Sequence, residues 1–305
     1  MAVAARVGPK DFFTQQEWAP LAARSSWKGV ALVVHCWAVI GLTGAMVIIW
    51  PITLPLAVVV IGARQLGLAI LMHDAAHGAL HPNRAFNDWL GEWPCGGGLI
   101  AYRNYHLQHH KYAQQGEDPD LGLSAPFPIS RASLRRKIVR DLTGQTWFKQ
   151  RFGRLVGRLK AHQEGALAIL ADEVRRQRRW LIVNALAIAA FTAVGAWWGW
   201  FAVWLLPRAT WFQLVTRFRN IAEHALVAKD EPDPLLHART TRASWLERIA
   251  IAPYYVNYHC EHHMFMHVPC WNLPRVSRLL EARGVFPRMR RADGYLAVLS
   301  AAAPA

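Results

Sequence analysis

Charge-free stretches alternate with strongly charged ones along this chain. Gly29 to Trp50 holds no Lys, Arg, Asp or Glu, and neither does Trp180 to Pro207. About 20 helical residues cross a hydrocarbon core of about 30 Å, so the first stretch predicts a membrane-spanning helix over residues 29–50. Pro51 and Pro55 interrupt the chain there, and a second span is expected over residues 53–72, completing a hairpin. Arg64 and Gln65 fall inside it and are expected to face other helices or a polar cavity, because a charge in lipid is costly. The run from Trp180 to Phe218 reads as one kinked helix or as two spans, 180–195 and 199–218, and two are preferred, because histidines near 73–110 and 259–263 can meet in one site only after an even number of crossings. In the second reading Trp197-Trp198-Gly199-Trp200 turns at the interface, and Pro207 and Arg208 disturb the last span.

Composition agrees with a membrane protein: 53% of the residues are hydrophobic and 15 are Trp. The net charge of +15, from 35 Lys and Arg against 20 Asp and Glu, is unevenly placed. Basic residues crowd the segment from Arg131 to Arg179, whereas the connections Trp50–Leu56 and Ala196–Trp200 carry no charge. This is the positive-inside pattern, with anionic lipid as the expected partner; no nucleic-acid motif accompanies the charge. Residues 73–179 and 219–305, with both termini, are therefore expected on the cytoplasmic side of a multi-pass protein folded as a single domain over residues 1–305. The N-terminal stretch shows no apolar core followed by a small-residue cleavage site, so insertion is expected to start from the first span. Thr14 and Glu17 have capping-box spacing ahead of Trp18, Leu21 and Trp27, which reads as a short interfacial helix or a frayed polar leader. Cys36, Cys95, Cys260 and Cys270 form no Cys-x-x-Cys pair and suggest neither disulfides nor a zinc ribbon.

Of the 14 histidines, nine fall in clusters with metal-binding spacing. His73 and His77 are four apart. His106, His109 and His110 form His-x-x-His-His, and His259, His262 and His263 repeat it. On a helix these spacings put the rings on one face, where they can converge on an ion. The ninth, His224, ends the segment from Arg219 to His224. Eight or nine imidazoles exceed the four ligands of one zinc ion, so at least two metal ions are expected. Carboxylates are sparse: Asp74, Glu223 and Glu261 adjoin the histidines and are expected to orient imidazoles or support the fold. On a helix Glu261 would turn away from His259 and His263. Asp118 and Asp120 either do the same for the second cluster or form an ordinary proline turn. His35, His162 and His237 lack a convergent partner and read as structural, while His81 and His267 remain candidates for supporting the metal ligands.

His73-x-x-x-His77, His106-x-x-His109-His110 and His259-x-x-His262-His263, in this order and flanking two apolar hairpins, resemble the membrane fatty acid desaturase and hydroxylase superfamily. The resemblance covers about residues 30–275. It implies an all-α integral membrane fold, four transmembrane helices in two hairpins with a cytosolic helical cap that holds two irons. It also implies O2-dependent attack on an unactivated C–H bond of a lipid acyl chain. Asn220, four residues before His224, is similar to an Asn that holds a metal through water in acyl-CoA desaturases. The three-residue spacing in the first box departs from that branch. His73 to Gly78, with the later Asp118-Pro119-Asp120, also looks like carotenoid ketolases and sphingolipid desaturases.

No dinucleotide fingerprint and no cysteine cluster for an iron–sulfur centre is present, so electrons are expected from an external ferredoxin or cytochrome. A histidine-rich metal transporter or sensor is the competing class. Transporters place ligands near the bilayer midplane, whereas these boxes begin at span ends and lie in polar segments.

Overall fold

The computed structural model describes residues 3–124, 126–161 and 165–304, which leaves His162 outside the described residues. Thr14 caps helix α1 (Gln15–Ala22): its hydroxyl accepts the Glu17 N–H at 3.3 Å, while the Glu17 carboxylate accepts the Thr14 N–H at 2.9 Å. The reciprocal bonds satisfy two donors that a helix start otherwise leaves free.

Helix α2 (Lys28–Ile49) and the segment Pro51–Ala76, a 3-10 turn leading into helix α3 (Leu54–Ala76), are long and apolar enough to cross a membrane. Pro51 and Pro55 begin the second helix, since prolines in a first turn forfeit no hydrogen bond. α3 also runs past the predicted end at residue 72, which carries His73 into its last turn. Arg64 and Gln65 are buried. The Arg64 guanidinium donates to the Ile249 carbonyl at 2.9 Å and lies 5.5 Å from the centre of the Tyr254 ring. It thus caps the C-terminal end of helix Trp245–Ala250, where a cation is favoured.

The third apolar run is divided into several helical segments. Helix Ala166–Ala193 starts well before Trp180, because Arg, Gln, Glu, Leu and Ala are all good helix formers and the charged stretch simply continues the helix. After a turn at Gly195, a π-helical segment (Trp200–Leu205), a short helix (Leu206–Ala209) and helix Trp211–His224 follow in near succession. Among the described residues, the segments that meet both length and composition for a span are α2 and Pro51–Ala76.

Two compact units share the chain. One comprises Val39–Gly62 and Arg135–Leu214; in it Arg151 donates to Gln177 at 3.1 Å and stacks on Trp180, and Trp200 donates to Asn184 at 2.9 Å. The other comprises Met1–Ala38, Ala63–Leu134 and Val215–Ala305 and contains every histidine cluster. In it helix α4 (Arg84–Glu92) packs on α3 through Gly91, where a side chain would come within 2.6 Å of Ala75 Cβ. A parallel pairing of Thr240–Thr241 with Arg291–Ala292 is the sheet among the described residues, a feature too short for any alternation in the sequence to announce.

Candidate metal centre

The end of α3 is held by side chains from two other helices. Helix α5 (Leu99–Tyr112) contributes Arg103, which donates to the carbonyls of Ala75 at 3.1 Å and Ala76 at 2.9 Å and pairs with Asp88. From α4, Asn87 donates to Ala75 O at 2.9 Å and accepts the Leu80 N–H at 3.1 Å. These bonds satisfy the carbonyls that a helix end leaves open. His73 and His77 are thereby fixed, and all four of their ring nitrogens are buried without a hydrogen-bond partner. Asp74 sits 3.5 Å from His73 Nδ1, too long for a good hydrogen bond, and accepts the Cys270 N–H at 2.9 Å.

All nine clustered histidines fall into two groups. His73, His77, His106, His110 and His262 form one, and His109, His224, His259 and His263 the other; within each, the ligand atoms lie within 4.8 Å of one another. His110 Nε2 is 3.0 Å from both His106 Nε2 and His262 Nε2. In the second group His259 Nε2 and His224 Nε2 are 3.0 Å apart, and His109 Nε2 and His263 Nε2 are 3.3 Å apart. Burial holds His106, His110, His259, His262 and His263 well below the usual imidazole range, and neighbouring imidazoles add to the shift. Neutral rings with lone pairs aimed at a shared point suit a cation. Buried orphan nitrogens would otherwise be a net cost. At metal–nitrogen distances of about 2.0–2.2 Å, neighbouring ligand atoms stand roughly 3 Å or a little more apart, as the pairs at 3.0–3.3 Å do.

In the group of four, the outward ring nitrogens of His109 and His224 are hydrogen-bonded. His109 Nδ1 contacts Asp118 Oδ1 at 2.8 Å. His224 Nδ1 donates to the His237 carbonyl at 3.2 Å, with Gln114 Nε2 at 3.4 Å. Such bonds set the tautomer and direction of a ligating ring. Glu223 Oε1 accepts from Arg219 Nε at 2.7 Å and stands 3.5 Å from His259 Nδ1, beyond a good hydrogen bond.

Residues 48–292 match the sequence model of the family described as fatty acid desaturase. The chain belongs to that family. Among its relatives, dihydrorhizobitoxine desaturase of Bradyrhizobium elkanii is 28% identical, over 74% of this chain and 67% of the relative. A beta-carotene ketolase of Paracoccus sp. strain PC1 is 26% identical, over 70% of this chain and 75% of the relative. Membership in the fatty acid desaturase family, with relatives of these two kinds, makes the chain an oxidoreductase and bears out the resemblance read from the three boxes.

The remaining candidates are placed variously within this family member. Asn220 lines a cavity beside His224 and His259. Asp120 holds the Tyr105 hydroxyl and stands 3.6 Å from His109 Nδ1. Glu261 belongs to neither group and accepts from the Thr240 hydroxyl. His35 meets the Tyr254 hydroxyl at 3.0 Å, and His81 accepts the Asn83 N–H at 3.0 Å. His267 is exposed, its ring 6.4 Å from that of His77. Sequence reasoning missed Asn87, Arg103, Gln114 and the His237 carbonyl, because each acts through a contact between distant segments.

Proposed function

We propose that the chain is a membrane-embedded, O2-dependent di-iron oxygenase that attacks an unactivated C–H bond of an acyl-type lipid chain. The observation that supports this reading is the division of nine histidines, eight of them buried, into groups of five and four whose ligand atoms converge. His73, His77, His106, His110 and His262 would hold one iron, and His109, His224, His259 and His263 the other, with Asn220 able to reach it through water. Imidazole is a ligand that iron accepts readily. Iron held there, given O2 and electrons from a separate ferredoxin or cytochrome, would supply the oxidising chemistry for C–H cleavage. The protein's own contribution is positioning. Asp118 and the His237 carbonyl hold two rings in register, and Glu223 stands beside a third.

We extend the same reading to four spans in two hairpins, with the histidine groups and both termini on the cytoplasmic face. A single domain over residues 1–305 then carries spans near 29–50, 53–72, 180–195 and 199–218. The relative named as a beta-carotene ketolase supports a second reading, oxidation of a carotenoid, which shares the site and differs in substrate. Metal analysis of the purified protein tests the shared claim: two irons per chain and O2-dependent product are expected. Two zincs with metal flux across vesicles would instead favour a transporter. Mass spectrometry of fatty acids, sphingolipids and pigments from an expressing host separates the two substrate readings.

A further inference from the structure

A cavity of about 220 Å³ opens onto both histidine groups, touching His106 of one and His109, His224 and His259 of the other. Its wall exposes more apolar than polar surface, and Thr216, Arg219, Asn220, Glu223 and Asp120 are among the polar groups set into it. On helix Trp211–His224, residues Thr216, Arg219, Asn220 and Glu223 share one face at spacings of three and four. Glu223 occupies the Nε edge of Arg219 at 2.7 Å. Among the described residues, no acceptor meets the two terminal NH2 groups of that guanidinium. One turn earlier, the Thr216 hydroxyl is buried and also without a partner. Opposite stands Tyr102, stacked on His106 with ring centres 5.3 Å apart.

We infer that this cavity is a carboxylate subsite: the substrate carries a carboxylate within a few bonds of the carbon that is oxidised, bound by the terminal NH2 groups of Arg219 and by the Thr216 hydroxyl. The choice of Arg matters, because its planar fork matches two carboxylate oxygens at once, and Glu223 uses only one edge of it. A plain methylene segment in this cavity would leave buried donors unmatched. Sites built this way reject the analogue lacking the polar group by orders of magnitude. Size points the same way: the cavity is smaller than the roughly 300–1,000 Å³ typical of sites enclosing a drug-sized ligand, so it holds a short polar fragment. The inference narrows the proposed C–H oxidation to substrates attacked near an acid group and rests on that reading for the reaction, while the subsite itself stands on the cavity wall.

The test is calorimetric titration of the full-length, iron-loaded protein in detergent with hexanoate and with hexan-1-ol, with iron measured on the same samples. Hexanoate should bind at least about tenfold more tightly than the alcohol. Thr216→Val should weaken hexanoate about fivefold and leave hexan-1-ol unchanged. Arg219→Lys, which keeps the charge and loses the fork, should weaken it about tenfold or more. Equal binding of acid and alcohol overturns the inference. So does hexanoate binding that neither variant alters, since the acid would then sit on the metal. In both cases a full iron content leaves the proposed function standing. Hexanoate binding that depends on Arg219 and Thr216 in a protein that cannot hold iron would support the subsite and sink the di-iron reading.

Discussion

His109 Nδ1 and Asp118 Oδ1 are 2.8 Å apart, with both side chains sealed from solvent. The carboxylate is itself anchored, accepting the Gln114 N–H at 2.9 Å and the Asp120 N–H at 2.8 Å. This fixes the proton on Nδ1 of His109 and turns Nε2 toward His263. Asp118→Asn should therefore lower metal affinity in the group His109, His224, His259 and His263 by roughly 10–100-fold, the usual cost of losing a ligand's outer partner. Chelator competition followed by iron analysis reads this directly. Retention equal to that of the parent protein would show that Asp118 does not orient the ring.

The nine histidines were legible because helical spacing alone places i, i+3 and i+4 on one face. Which ring joins which group was not: His262 and His263 are adjacent in sequence yet belong to different groups. Asp118 and Asp120 look equivalent as a pair around a proline. Only the fold separates them, by burying one against His109 and leaving the other to Tyr105. Hydrophobic pattern located α2 and α3 well, since each is nearly charge-free. Near Trp180 the apolar boundary is not a helix boundary, because a helix made of strong helix formers continues through charge.

Arg103 ties the end of α3 to α5 and α4, bonding two carbonyls and Asp88. Arg103→Met removes all of these donors while preserving much of the side-chain volume. The Ala76 carbonyl next to His77 loses its donor, and Asp88, left with Asn87 and Arg84, loses its buried cation, which should destabilise the protein by about 1–3 kcal/mol. His73 and His77 should then hold metal less tightly. Thermal unfolding in detergent, with iron analysis alongside, checks both; a stability within about 0.5 kcal/mol of the parent would place the anchoring of α3 elsewhere.

Burial depresses the imidazoles of His106, His110, His259, His262 and His263, so the folded protein refuses protons that the unfolded chain accepts. Free imidazole titrates near about 6.5. Below that value the unfolded state binds more protons than the folded one, and stability falls as pH falls. Metal-free protein should accordingly lose stability steadily from about pH 7 to pH 5 in urea titrations. The iron-loaded protein should show the same sign, because protons also compete with the metal for each ring. Stability that rises on acidification would mean that these rings are charged in the folded state.

His262 and His267 are five residues apart and both lie near His77, but their placement differs. His262 is buried, with its Nε2 3.0 Å from that of His110. His267 is exposed and belongs to neither group. His262→Ala should lower bound iron from two per chain toward one and abolish turnover, because it removes a nitrogen from the group of five and opens a void beside four others. His267→Ala should keep both irons, with turnover within about twofold of the parent, as expected for a surface change away from the ligands. Iron analysis and product formation on the two variants in parallel separate a histidine that binds metal from one that merely stands close. Full iron in His262→Ala would remove that residue from the group, and loss of iron in His267→Ala would require a tenth ligand.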